Sequence, residues 1–82
     1  MTTIRTLIVD DEELARRGLE LRLAAYGDVE IVAQCRNGRE AVQAVRELSP
    51  DAVFLDVQMP GLSGFDVLRH LSGSSMPVIV FV

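Results

Sequence analysis

The chain has 82 residues, 49 % hydrophobic and 24 % charged, enough for one small core and too few for two domains. Its eight basic residues are all arginine and face twelve acidic ones; the net charge of -4 excludes a domain whose main work is neutralising nucleic-acid phosphates. The one cysteine, Cys35, has no partner for an internal disulfide, which excludes a stapled secreted scaffold and fits a reducing cytoplasm.

The first apolar run, Ile4 to Val9, is rich in β-branched residues and reads as a strand that stops at Asp10. From Glu12 to Ala25 the period becomes helical: Leu14, Gly18, Leu21 and Ala25 fall at i, i+4, i+7 and i+11. Ala15 and Leu19 widen that stripe, while Arg16, Arg17, Glu20 and Arg22 lie largely outside it. Gly27 is placed to end this helix as its C′ residue. Glu30 to Cys35 is a second strand; it alternates, with Ile31, Ala33 and Cys35 on one side, and suits a position near the sheet edge.

A second helix starts after Asn37, near Gly38, and presents Ala41, Ala44, Val45 and Leu48 on one stripe until Ser49-Pro50-Asp51 stops it. Ala52 to Leu55 is a third strand, continuous in its apolar character as a buried parallel strand should be. A third helix is expected from about Gly64 to Leu71, with Ser63 as N-cap and Gly64, Val67, Leu68 and Leu71 on its inner face. The short loop Ser72-Gly73-Ser74-Ser75 leads to a fourth strand, Val78 to Val82. No run is long enough for a signal-peptide core or a bilayer span, so no membrane association is expected. The alternation β-α-β-α-β-α-β predicts an α/β domain with a parallel sheet and helices on both faces.

In open parallel sheets, chemistry gathers at the carboxyl ends of the strands. The first strand ends in Asp10-Asp11, followed by Glu12-Glu13, and the third ends in Asp56. If these strands are neighbours, Asp10, Asp11 and Asp56 converge, and their repulsion raises a pKa or requires a cation. Hard oxygen ligands favour a divalent ion, Mg2+ for preference. After Asp56, the loop Val57-Gln58-Met59-Pro60-Gly61 contains a Pro-Gly turn that lets the backbone fold back and aim a carbonyl at the same site. The plainer reading of these aspartates is as acidic loop residues or helix N-caps.

Leu7-Ile8-Val9-Asp10-Asp11-Glu12, Phe54-Leu55-Asp56-Val57-Gln58-Met59-Pro60-Gly61, Gly64 and Pro77-Val78-Ile79-Val80-Phe81-Val82 together resemble the receiver domains of two-component response regulators, over the whole chain. Glu13-Leu14-Ala15-Arg16-Arg17 and Gln58-Met59-Pro60-Gly61 look most like receivers fused to LytTR-type DNA-binding domains. The resemblance implies a CheY-like, flavodoxin-like doubly wound sheet of strand order 2-1-3-4. It makes Asp56 the phosphoacceptor for a phosphohistidine on a sensor histidine kinase. Asp11 and Asp56 would be metal ligands, Asp10 would act mainly through metal-bound water, and the backbone carbonyl of Gln58 would complete the set for Mg2+. Such a module assists its own phosphorylation without being a conventional enzyme, and reaches DNA only through an output domain.

The chain departs from the family pattern in lacking a Ser or Thr at the end of the fourth strand and any lysine at all; its threonines are Thr2, Thr3 and Thr6. It therefore reads as residues 1–82 of a partial receiver, without the fifth βα unit and without the groups that complete the switch. The apolar fourth strand then invites self-association. Two competing readings remain. A haloacid-dehalogenase-like phosphotransferase would use Asp56 as nucleophile, but wants an acid where Gln58 stands; an interaction module would bind partners without phosphorylation.

The remaining residues have structural readings. Glu12/Arg16 and Glu13/Arg17 are spaced as i, i+4 ion pairs. The only histidine, His70, is expected to face solvent, Cys35 to pack at the end of its strand, and Phe54, Phe65 and Phe81 to lie in the core.

Overall fold

The computed structural model describes residues 3–59, 64–71 and 76–82. Its elements alternate as β1 (Ile4–Val9), α1 (Glu13–Leu23), β2 (Val29–Cys35), α2 (Gly38–Leu48), β3 (Ala52–Leu55), α3 (Gly64–His70) and β4 (Val78–Phe81). All strand pairs are parallel, in the order β2-β1-β3-β4, so β2 is an edge strand and β1 and β3 are central neighbours, as expected. The predicted Ser63 cap, the Pro60-Gly61 turn and the Ser72–Ser75 loop lie outside the described residues.

The core lies on the α2–α3 side of the sheet. Leu7, Val9, Val53 and Leu55 point there and meet Ala41, Val42 and Val45 of α2, Val67 of α3, and Met59 and Leu71, all buried. Helix α2 fits its prediction because its signals agree. Asn37 caps it by accepting from the Glu40 N–H at 2.9 Å, and Ser49 closes it in the left-handed region at φ 46°. Arg5 reaches across from β1 and donates to the carbonyls of Leu48 and Ser49, satisfying acceptors that the helix end leaves open.

Helix α1 departs from its prediction. Leu14 and Leu21 of the expected stripe are 82 % and 64 % exposed, and a Cβ at Gly18 would touch nothing. The inner face carries Leu19 and Leu23, with the half-buried Arg16 in line with them. The rejected stripe has the same period, but two of its four members are Gly18 and Ala25, which bring little area to bury, whereas Arg16 can lay an apolar stem along the sheet. The helix begins at Glu13 with no side-chain cap and ends at Leu23, unwinding through Ala24–Tyr26 by bonds such as Tyr26 N–H to the Leu23 carbonyl at 3.0 Å. Gly27 falls beyond it and has no left-handed backbone to supply.

In β2 the register against β1 slips between Thr6 and Leu7: Thr6 pairs with Ile31 and Leu7 with Ala33. Val32 is thus an inserted residue, and Ile31 is parted from the side of Ala33 and Cys35 on which alternation placed it. Cys35 is buried as expected and His70 is exposed. Phe81, expected in the core, is 42 % exposed because it sits on the edge strand β4; Phe54 is half-buried. The spaced pairs Glu12/Arg16 and Glu13/Arg17 do not form; the ion pairs among the described residues are Arg36–Glu40 at 3.3 Å and Arg69–Asp66 at 3.7 Å.

Candidate metal centre

The parallel pairing of β1 with β3 sets Val9 opposite Leu55, so both chains leave the sheet at the same level. The ladder extends one step past each strand: Asp56 N–H donates to the Val9 carbonyl and Asp10 N–H to the Cys35 carbonyl, both at 3.0 Å. These bonds hold the backbones of Asp10 and Asp56 at the carboxyl edge of the sheet.

Each of the two side chains is then turned by a local bond. Asp10 Oδ1 accepts from the Glu12 N–H and Asp56 Oδ1 from the Gln58 N–H, each at 3.0 Å and each two residues on, the Asx-turn pattern. One carboxylate oxygen of each is occupied in this way. Asp11 joins them at the surface, and one oxygen from each of Asp10, Asp11 and Asp56 lies within 4.8 Å of the others. Asp10 and Asp56 are half-buried and Asp11 is exposed.

Burial pushes the Asp10 carboxyl above its ordinary range, and the charges of Asp56 and Asp11 push the same way, against the lowering effect of the Glu12 N–H. The donor set fits a small divalent cation. Oxygens at opposite sides of a Mg2+ ion are about 4.2 Å apart, so the three carboxylates need only a small adjustment to share one. Gln58 stands in the turn after Asp56, beside the site. Arg16, which spacing had paired with Glu12, instead donates to the Asp10 carbonyl at 2.7 Å from α1.

The acidic pocket lies at the carboxyl ends of two central parallel strands, where open α/β sheets bind their ligands. The model of the response regulator receiver domain matches residues 6–82, and the chain belongs to that family, as the receiver domain of a two-component response regulator. The transcriptional regulatory protein BtsR of Escherichia coli K12 is 47 % identical over 79 residues, covering 96 % of this chain and 33 % of that protein. An uncharacterized response regulatory protein of Vibrio cholerae is 42 % identical over the same shares. The chain spans about a third of the length of the curated relatives it matches. Among solved structures, the response regulator domain of Thermotoga maritima CheB superposes with a TM-score of 0.87 at 31 % identity, over 96 % of this chain and 59 % of that one. A CheX-CheY-BeF3-Mg+2 complex from Borrelia burgdorferi gives 0.78 at 26 %, over 85 % and 53 %.

Receiver domains are signalling modules, generally Mg2+-dependent and partnered with sensor histidine kinases. Among the described residues, no helix is long and apolar enough to cross a membrane.

Proposed function

We propose that Asp56 is the phosphoacceptor of this receiver and that Asp10, Asp11, Asp56 and the Gln58 backbone carbonyl hold Mg2+ beside it. The observation that carries this reading is the convergence of the three carboxylates within 4.8 Å at the ends of β1 and β3. A carboxylate oxygen of Asp56 attacks the phosphorus of a kinase phosphohistidine. The P–O bond forms as the P–N bond breaks, and the imidazole departs with the electron pair. Mg2+, when bound, supplies the positive charge that lets a phosphoryl group approach a cluster of carboxylates. The protein's own part is positional: the Asx turns hold Asp10 and Asp56 by one oxygen each at the edge of the sheet.

The 82 residues supply the acidic cluster of a receiver site, in a protein that acts in the cytoplasm. Relatives named as transcriptional regulatory proteins are three times the matched length, which supports an output region that carries the signal to DNA. Glu13 to Arg17 and the Gln58-Met59-Pro60-Gly61 stretch favour one of the LytTR type.

The test is spectroscopic. Mg2+ with beryllofluoride is expected to shift the amide resonances of Asp10, Asp11, Asp56 and Gln58, and Asp56→Asn to abolish the response while the fold persists. A response that survives Asp56→Asn overturns the assignment of the acceptor.

A further inference from the structure

The Arg16 guanidinium donates to the carbonyl oxygen of Asp10 at 2.7 Å, from a half-buried position on the inner face of α1. Ordering a long, charged side chain on a neutral acceptor costs rotamer entropy. The charged partner offered by the sequence, Glu12 one turn earlier, is not taken, since neither ion pair among the described residues involves Arg16.

The acceptor it takes instead is the carbonyl of the peptide that joins Asp10 to Asp11. A peptide group is planar, so fixing that oxygen fixes the plane carrying the Cα atoms of both residues. On the other side of the Asp10 Cα, the N–H is already held by the Cys35 carbonyl and the carboxylate by the Glu12 N–H. Arg16 adds a bond on the carbonyl side, directly on the peptide from which Asp11 leaves the turn.

We propose that Arg16 is a positioning residue of the acidic site, its bond to the Asp10 carbonyl orienting the Asp10–Asp11 peptide so that both carboxylates face one divalent cation. This rests on the reading of the site as a Mg2+ centre. Position and charge make opposite predictions here. A bystander cation repels Mg2+, so removing it tightens binding; an orienting bond, once lost, loosens it.

The experiment is calorimetric titration of the 82-residue chain with Mg2+, paired with thermal melts in chelator. Arg16→Met, which keeps the apolar stem, is expected to weaken Mg2+ binding roughly tenfold, the lower end of what loss of an outer-shell partner costs. Arg16→Lys, which keeps an apolar stem, the charge and N–H groups able to donate, is expected to restore most of it. Met-variant binding equal to or tighter than wild type overturns the proposal, as does a lysine variant no better than methionine. Wild-type protein that takes up no Mg2+ overturns the metal reading itself, which separates the two failures. Should the methionine variant not fold, guanidinium proton exchange in wild type decides: Arg16 is expected to exchange slower than the exposed Arg17, and equal rates overturn the proposal.

Discussion

At the scale of single residues, the site works against the stability of the metal-free fold. Asp10 has a carboxyl held above its ordinary value of 3.8, by burial first and then by Asp56 and Asp11. A raised acid binds its proton more tightly folded than unfolded. Below about pH 3.8 both states are protonated and nothing is lost; as pH rises through the folded value, stability falls and stays reduced above it. Asp10→Asn is therefore expected to raise the melting temperature in chelator at pH 7, with the gain shrinking toward zero near pH 4 and reversing sign in saturating Mg2+. A gain that persists unchanged at pH 4 would locate its cause outside the carboxylate charge.

Cys35 follows the same logic away from the acidic site. Burial pushes its thiol up to about 11, helped by Glu40 and opposed by Arg16. At pH 7 only about one folded molecule in ten thousand carries the thiolate, so alkylation is expected to follow unfolding, not native attack. Iodoacetamide labelling that outruns unfolding would contradict this. Because the unfolded thiol ionises first, stability should also begin to fall as pH passes about 9.

At the scale of elements, α1 and α2 have the same length, yet α2 was legible in its bounds and most of its face, missing only the buried Val42 and placing the half-buried Ala44 and Leu48 on the inner stripe. In α2 the cap Asn37, the apolar face around Ala41 and Val45 and the stop at Ser49-Pro50 all agree. In α1, two stripes of equal period compete, and the choice depends on residue size and on Arg16 finding the Asp10 carbonyl, a tertiary fact that spacing does not encode. Leu23→Ala is accordingly expected to cost about 2–3 kcal/mol, whereas Leu14→Ala, at an 82 % exposed position, should stay within about 0.5 kcal/mol. Chemical denaturation of the pair decides between the faces; the reverse order would restore the Leu14 stripe. The bulge at Val32 was invisible for a related reason, since an inserted residue breaks the period from which strand faces are read. Asp10 and Asp56 were legible because each stands directly after an unbroken apolar run, where a parallel sheet exposes its carboxyl edge, and Asp11 is the next residue after the first of them.

At the scale of the whole molecule, the sheet is covered unequally, and that inequality predicts its behaviour in solution. Leu7, Val9, Val53 and Leu55 lie beneath α2 and α3 and are buried. On the opposite face, pairing aligns Thr6 and Ile8 with Ala52 and Phe54, and these with Val78 and Val80. Helix α1 packs over β1 and β2 there, so the row ends uncovered: Val78 is 66 % and Val80 36 % exposed. Among the described residues β4 pairs with β3 alone, so it is the edge strand of the sheet beside those valines. An apolar edge of this kind pairs with whatever strand it meets, and in a solution of the 82-residue chain that is a second copy. Sedimentation velocity is expected to show association that grows with concentration across the micromolar range. Val80→Lys puts a charge on that row without touching the buried face and should return the chain to monomer. A wild-type chain that stays monomeric at high micromolar concentration would show that one helix is cover enough for this side of the sheet.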